Sequence, residues 1–305
     1  RNSLRIVSGK QTFKDSDGKT QPAIKWFLDT VANPEAAYKH RVFRIENPEL
    51  LTVLGLKRRE GFRYSFEDFI EKLPELTRQA ELARKAGKGQ ASLFQSRVLE
   101  LEKKIGIVDL LMQAFNPPQI RPENARQDVM EAFRRHEMLA QRNPPLAIPP
   151  KLLEDKDDQK PETATDDQWQ TYSASWLRDL LGLSVNNEKE NEATQAWTGI
   201  LVAYSRDNVA DFNKQVQDYQ SWLNRNRADL PHTSLNKIDF EAFYNHFEPC
   251  YYAAVLYLFA FVLVCLSFLF LQRPLGSAAF WLIVLTFVVH TFALIARIYI
   301  SGRPP

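Results

Sequence analysis

Two long apolar runs dominate the hydropathy pattern near the C-terminal end of the chain. The first, 250–271, reads CYYAAVLYLFAFVLVCLSFLFL and contains no charged residue. As a helix with a rise of about 1.5 Å per residue, it matches the hydrocarbon core of a bilayer, which is roughly 30 Å thick. The second, 278–300, is apolar apart from His290, two threonines and Arg297. The pattern predicts two membrane spans, at about 250–271 and 278–300.

The segment QRPLGS separates the two runs, and its Pro274 and Gly276 are expected to break the helix. Two spans with so short a connection predict a transmembrane hairpin over 249–305 whose two ends lie on the same side of a lipid bilayer. The loop contains one arginine, and the opposite side contains Arg297 and Arg303. By the positive-inside rule this count is too small to give the orientation, and it runs slightly against an extracytoplasmic domain.

Upstream of the hairpin, the pattern changes to short punctuated segments that predict helices and one short strand. Residues 42–45 alternate as a strand, and a helix then follows with Asn47 as its N-cap, Pro48 in its first turn and Gly55 just past its end. Ser65 is predicted to cap a further helix that runs to Gly87.

The next segment carries apolar residues at alternating steps of four and three, the spacing of a helix with one apolar stripe. The stripe consists of Phe94, Val98, Leu101, Ile105, Val108, Met112 and Phe115. We expect this helix to pack antiparallel to residues 66–86 within the domain. A self-associating coiled coil is the alternative interpretation.

The remaining soluble sequence predicts a mainly α domain in two parts. Residues 1–142 form the first helical part, and 143–167, rich in proline and then in charge, are expected to form an exposed linker or loop. Residues 168–248 form the second part, with three helices whose aromatic and aliphatic positions recur at helical spacing. The fold class is therefore mainly α, a helical domain with a short strand element followed by a transmembrane hairpin.

Charge and cysteine content exclude several classes of function. The chain carries a net charge of +2, and its C-terminal apolar region contains arginines but no acid, so the soluble part is close to neutral. It lacks the basic face that nucleic-acid binding requires, so no nucleic-acid partner is expected. The only cysteines, Cys250 and Cys265, lie at the start of and within the first apolar run, and we expect no disulfide framework and no metal site.

No motif of an enzyme family, such as a P-loop, GxSxG, GxGxxG or HExxH, occurs in the chain, and no catalytic residue is predicted. His40, His136, His232 and His246 are far apart in the sequence and are expected to lie at the surface or at its boundary. His290 differs because it lies near the middle of the second span, where an ionisable side chain usually has a function. It could be a haem axial ligand, part of a proton relay or the donor of an interhelical hydrogen bond.

Three stretches resemble the system II cytochrome c biogenesis proteins of the CcsA/ResC type, in particular the fused CcsB–CcsA (ResB–ResC) forms. They are, in order, FRIENPELLTVLGLKRREGFRYSFEDF (43–69), IDFEAFYNHFEPCYYAAVLYLFAF (238–261) and HTFALIARIYISGRPP (290–305). The last is similar to an Arg-aromatic-Ile-Ser-Gly run that precedes further spans in that family. The family's Trp-rich WWD loop with its flanking histidines is absent from this sequence, so we expect it to follow in a longer protein.

The resemblance implies a cytochrome c synthetase that exports haem and attaches it to apocytochrome c, with a ResB/CcsB-like portion or subunit as a further partner. It also implies a bacterial cytoplasmic (inner) membrane location, with the large domain extracytoplasmic. His290 matches a family histidine and would be the haem ligand, whereas Arg303 stands where a histidine is often found. A membrane-anchored interaction or sensor domain without enzymatic activity, and a transporter permease fragment, are the alternative functions.

Overall fold

The computed structural model of the chain describes residues 1–15, 17–85, 92–151, 168–186, 188–227, 230, 235–270 and 272–302, without the side chains of 186 and 235. Over these residues the protein is mainly helical, which confirms the predicted fold class. It comprises two compact units, Arg1–Pro231 and His232–Pro305, called here the N-terminal unit and the C-terminal unit.

Short helices and two small antiparallel sheets alternate in the first part of the N-terminal unit. The elements are α1 (Asn2–Ser8), β1 (Thr12–Lys14), β2 (Thr20–Pro22), α2 (Ala23–Ala32), α3 (Pro34–Lys39), β3 (Phe43–Arg44), α4 (Pro48–Val53) and β4 (Arg63–Tyr64). β1 pairs with β2 and β3 with β4, so that Phe43 lies opposite Tyr64. Both of these aromatic side chains are fully buried, and the second sheet therefore closes one side of the core.

Longer helices form the rest of the N-terminal unit. They are α5 (Leu73–Lys85), α6 (Leu93–Phe115), α7 (Ala125–Ala140), α8 (Tyr172–Asn186), α9 (Glu192–Ser205) and α10 (Val209–Arg225), with 3-10 turns at Glu60–Phe62, Ile70–Lys72 and Pro122–Asn124. The last three α-helices confirm the prediction made from aromatic and aliphatic spacing. α2 lies at the centre of the core and contacts α1, α3, α6 and α9.

The predicted strand and capped helix near residue 45 are confirmed. The Asn47 side chain accepts a hydrogen bond of 2.8 Å from the Leu50 N–H, and Pro48 opens α4. Gly55 follows the helix with a φ of +67°, a left-handed conformation that glycine adopts without strain.

The predicted helix start at Ser65 is wrong, because α5 begins only at Leu73. The Ser65 N–H and hydroxyl both donate to the Asp68 carboxylate at 2.8 Å, and the Arg59 guanidinium forms a two-point ion pair with the same carboxylate. These bonds hold a turn in which Phe69 has non-helical φ and ψ, and they satisfy the groups that a helix cap would use. Phe69 is buried as a result.

The apolar stripe between Phe94 and Phe115 forms α6, which packs against α5 as predicted. Ser92 and Gln95 exchange hydrogen bonds in a capping box that starts the helix. At the other end, the Phe115 ring meets Phe27 edge-on at a centroid distance of 5.0 Å. The stripe is therefore used for the core of the unit.

The Pro-rich segment that follows α7 is less exposed than predicted. Residues 148–150 are buried, and Ile148 forms an isolated antiparallel bridge with Gln170. The buried Asn191 side chain donates a hydrogen bond of 2.9 Å to the Pro149 carbonyl, which gives this backbone a partner inside the unit. The charged remainder of the predicted linker, 152–167, lies outside the described residues.

The C-terminal unit consists of α11 (Leu235–Phe247), α12 (Pro249–Leu269) and α13 (Gln272–Ser301) over its described part. α12 and α13 form an extensive mutual contact, and each is long enough and apolar enough to cross a membrane. α13 begins earlier than predicted, since Pro274 and Gly276 lie inside it. The first turn of a helix has no internal acceptor for its N–H groups, so a proline there costs little.

Candidate functional site in the apolar hairpin and the N-terminal unit

His290 lies on α13, on the side that meets α12. Its imidazole is half-buried, and the ring centroid is 6.0 Å from that of Tyr257 in an edge-on arrangement. Among the residues that the structure describes, the imidazole has no hydrogen-bond partner. The interhelical hydrogen bond, one of the alternatives for this residue, is therefore not formed within the described hairpin.

Small residues form the contact between α12 and α13. The buried side chains are Ala253, Ala260 and Ser267 on α12 and Ala279, Thr286, Ala293 and Ala296 on α13. Most of them recur at intervals of seven residues, the repeat that keeps one helix face against its partner. The hydroxyls of Ser267 and Thr286 each donate a 2.7 Å hydrogen bond to a carbonyl of their own helix. Unlike these two hydroxyls, the His290 imidazole forms no hydrogen bond with any described residue.

Haem is the cofactor that the sequence resemblance implies, and its iron is commonly held by a histidine nitrogen. The imidazole of His290, on a helix pair that exposes apolar side chains, would be the residue that holds it. The described residues contain no group of three or more His, Cys, Asp or Glu side chains able to hold a metal ion. The residues therefore fit haem through a single histidine and do not form a complete metal cage.

The Ser301-Gly302 end of the apolar hairpin terminates α13. α13 ends at Ser301, and Gly302 follows with a φ of +64°, donating its N–H to the Ile298 carbonyl at 2.8 Å. This is the left-handed glycine that commonly ends a helix. Arg303, which the resemblance compares with a family histidine, lies outside the described residues.

An open groove of about 780 Å³ in the N-terminal unit lies between α6 and α7. Its apolar floor includes Phe66, Ile105, Val108, Met112 and Leu139. A volume of this size is typical of a small-molecule or peptide site. Its acidic side chains are already paired, because Asp128 binds Arg121 at 2.7 Å and Asp109 binds Arg142 at 3.0 Å.

His136 lies at the wall of this groove and is half-buried. Its Nε2 is 3.1 Å from the Ser173 hydroxyl, which in turn donates to the Gln113 carbonyl at 2.8 Å. Because the Ser173 hydroxyl gives its proton to the Gln113 carbonyl, Nε2 of His136 must donate to the hydroxyl oxygen. These two hydrogen bonds therefore place a proton on Nε2 of the ring. Burial, with a smaller effect of Arg135, lowers the pKa of His136.

His40 is buried, so the prediction that it lies at or near the surface is wrong. Its Nε2 is 2.7 Å from Asp29 Oδ2, while the Tyr204 hydroxyl donates a 2.6 Å hydrogen bond to Asp29 Oδ1. This network, called here the Asp29 cluster, joins α2, the end of α3 and α9. Within the described structure, Nδ1 of His40 is buried without a hydrogen-bond partner.

The Asp29 cluster sets the ionisation of its members. Burial raises the pKa of the Asp29 carboxyl, but the bonds from His40 and Tyr204, with the charge of Lys25, outweigh it and the net pKa is lowered. Burial and the Asp29 charge together raise the pKa of the Tyr204 hydroxyl. A charged carboxylate with two ring partners, closed to solvent, stabilises the core and offers no position for a substrate.

Sequence reasoning could not find these two arrangements. Tyr204 lies 175 positions from Asp29, and Ser173 lies 37 positions from His136. Neither pair forms a motif with a recognisable spacing in the sequence, because the two residues of each pair come together only when the helices pack. His290, in contrast, was found from hydropathy alone.

Comparison with known proteins gives no assignment: no protein-family model matches the chain, and no curated protein matches it.

Proposed function

We propose that this chain belongs to a membrane protein that handles haem during cytochrome c assembly, with His290 as an axial ligand of haem. The observation that carries the proposal is an imidazole on an apolar helix of membrane-spanning length that has no hydrogen-bond partner among the described residues. A polar group in that setting is costly unless it has a partner, and haem iron is a partner suited to an imidazole. The sequence resemblance of 43–69, 238–261 and 290–305 to the CcsA/ResC type supports the same function.

In this proposal the hairpin crosses a bacterial cytoplasmic membrane and the N-terminal unit lies on its extracytoplasmic side. That unit would receive apocytochrome c, and a ResB/CcsB-like portion or subunit would complete the haem-attachment machinery. Haem itself supplies the vinyl groups to which cysteine thiols of the acceptor add. The contribution of this chain is to hold the iron through the His290 imidazole in a region that excludes water.

The proposal is tested by titrating haem into the complete chain reconstituted in lipid nanodiscs. We expect saturation at one haem per chain and the absorption spectrum of a histidine-ligated iron. His290→Ala should lose or alter this spectrum, because the nitrogen ligand is removed. His246→Ala is the matched control, since this histidine belongs to the same unit but lies on exposed α11.

Identical haem spectra in the parent chain and in His290→Ala would contradict the proposal. So would haem uptake no greater than that of nanodiscs without protein.

A second candidate function is a membrane-anchored interaction domain without chemistry of its own. The observation that favours it is the groove between α6 and α7, whose apolar floor is open while its acidic side chains are paired. The discriminating substitution is Met112→Glu, which places a charge on that floor. If Met112→Glu abolished the biological activity of the chain while His290→Ala preserved it, the interaction function would replace haem handling.

A further inference from the structure

α11, the helix that precedes the hairpin, carries a stripe of aromatic side chains. Phe240 packs against Phe292 and Tyr299 of α13, with ring centroids 6.5 and 5.6 Å apart. On the same side, the Tyr244 hydroxyl donates a 3.2 Å hydrogen bond to the Ala293 carbonyl. α11 is therefore fixed against the C-terminal third of α13.

The change of direction between α11 and α12 has a local cause. Glu248 adopts a left-handed conformation with φ of +47°, and Pro249 then begins α12. A left-handed residue followed by proline ends one helix and starts another in a new direction. α11 consequently lies beside α13, so it does not extend the axis of α12.

Aromatic rings continue from α11 to the first turn of α12. Phe240 contacts Phe243, Phe243 stacks on Phe247 at 5.9 Å, and Phe247 contacts Tyr252 at 6.3 Å. Tyr251 adjoins Tyr252 at 5.8 Å. We call the four outer residues, Phe243, Phe247, Tyr251 and Tyr252, the aromatic band.

The aromatic band is exposed. Phe243 is 55% exposed, Phe247 40%, Tyr251 63% and Tyr252 53%. Four adjoining large rings form a larger apolar patch than a surface in contact with water usually carries. The band also adjoins the exposed apolar surface of the hairpin, which includes Val255, Leu258 and Phe259 on α12.

The charges around the band indicate the kind of partner. Between residues 235 and 252 the sequence contains one lysine, Lys237, and three acids, Asp239, Glu241 and Glu248. A surface with this balance is not attracted to anionic headgroups or to an acidic protein segment. Aromatic rings, in contrast, favour the boundary between headgroups and acyl chains whatever the headgroup charge.

We propose that α11 is an interfacial membrane helix, with the aromatic band inserted among the headgroups of the bilayer that α12 and α13 cross. The inference rests on the membrane insertion of the hairpin, and it is independent of haem. α11 leads into the hairpin and is held against α13 by Phe240 and Tyr244. α11 would set the depth of the first turn of α12 in the bilayer.

Spin labels on single cysteines test the proposal in the complete chain, reconstituted in phosphatidylcholine nanodiscs. The background carries Cys250→Ser and Cys265→Ala. Phe243→Cys places the label in the aromatic band, and Asn245→Cys, an exposed residue on another face of α11, is the matched control. Val288→Cys on α13 reports separately whether the hairpin is in lipid.

The measurement is the ratio of collision rates with oxygen, which concentrates in lipid, and with a water-soluble nickel chelate. We expect this ratio to be several-fold higher at position 243 than at position 245, and to stay unchanged when anionic lipid is added. A ratio at 243 equal to that at 245, with 288 in lipid, would overturn the inference and leave the hairpin intact. Low collision rates with both reagents at 243 would assign the band to a protein partner and also overturn it.

If position 288 itself were accessible to the nickel chelate, the hairpin would not be inserted, and both this inference and the proposed membrane function would fail. A normal haem spectrum has no bearing on the outcome, so the two proposals are tested separately.

Discussion

The two units of the chain bury opposite kinds of side chain. In the N-terminal unit the largest fully buried side chains include Tyr64, Phe43 and Phe69. In α12 and α13 the buried side chains, apart from Pro249, are alanine, serine and threonine, while many phenylalanines, leucines and valines are exposed. The first pattern is that of a protein in water, and the second is that of helices whose surroundings are as apolar as their own surface.

This difference indicates which interactions stabilise each unit. The N-terminal unit gains free energy by removing apolar area from water, and it holds its buried polar groups in fixed networks such as the Asp29 cluster. The hairpin gains little from the same effect in lipid, so it depends on the close approach that small residues allow. Substitutions of one type should therefore have opposite consequences in the two units.

Truncation of a large side chain should give the largest contrast. Phe43→Ala removes a ring that is 2% exposed and should reduce the free energy of unfolding of the N-terminal unit by about 4 kcal/mol. Phe261→Ala removes a ring that is 64% exposed on α12, and we expect little change. The effect of Phe43→Ala is measured by denaturant titration followed by tryptophan fluorescence. The effect of Phe261→Ala is measured by detergent-induced unfolding of the hairpin. Equal losses would contradict the comparison.

Removal of the Asp29 carboxylate should have the next largest effect. Asp29→Ala leaves His40 and Tyr204 without their shared partner inside the core, which should cost about 3 kcal/mol. Lys25→Ala is the control, because its ammonium contacts the same carboxylate at 3.3 Å from a partly exposed position. We expect its cost to be below about 1 kcal/mol. If the two variants unfolded at the same denaturant concentration, the cluster would not stabilise the core.

In the hairpin, enlarging a small buried residue should be more destabilising than truncating a large exposed one. Ala260→Leu places extra volume in the contact between α12 and α13 and should destabilise the hairpin by about 2 kcal/mol. Leu258→Ala on the exposed side of the same helix is the control and should have almost no effect. Titration of the reconstituted protein with a denaturing detergent, followed by energy transfer between labelled helices, measures both. Tolerance of Ala260→Leu would show that the helices are not closely packed.

Acid should also lower the free energy of unfolding of the N-terminal unit. For a single carboxylate such as Asp128, we expect a smaller loss than for the substitutions above. The side-chain and backbone hydrogen bonds from Arg121 lower the pKa of Asp128 from 3.8 to about 2. A carboxyl whose pKa is lower in the folded protein contributes stability above its unfolded pKa, and that contribution is lost as the pH falls towards the folded value. The free energy of unfolding should therefore decrease between pH 3.8 and about 2.

The substitution Asp128→Asn should make this decrease less steep, because it removes the carboxyl whose pKa is lowered. Unfolding curves at several acidic pH values provide the test. A slope in Asp128→Asn identical to that of the parent chain would mean that the Arg121 pair does not contribute.

Local signals in the sequence predicted a substantial part of this structure. The Asn47 cap, the apolar stripe of α6 and the two spans are determined by residues close together in the chain, so their patterns were visible. The start of α5 was missed because Arg59 and Ser65 both bind Asp68 and hold a turn where a capped helix was expected. The burial of His40 was missed because the Asp29 cluster that holds it is completed by Tyr204 from a distant helix.

The candidate site likewise contains some features that local sequence predicts and others that depend on contacts between distant segments. His290 was predicted because one polar residue inside an apolar run is visible in the sequence. The groove between α6 and α7 was not predicted, since it forms only when two helices and the segment after α6 come together. α11 was not predicted as a separate helix, because a short helix with two acids gives a weak hydropathy signal.

The central claim is that the N-terminal unit lies in water and the hairpin in lipid. Thiol labelling in a bilayer tests this claim most directly. Leu258→Cys on α12 and Met130→Cys on α7 are placed singly in the cysteine-free background, at positions that are 64% and 51% exposed. With the complete chain in nanodiscs, a membrane-impermeant maleimide should label position 130 rapidly and leave position 258 unlabelled until detergent is added. Rapid labelling of position 258 in the intact bilayer would show that α12 lies in water and would contradict the account.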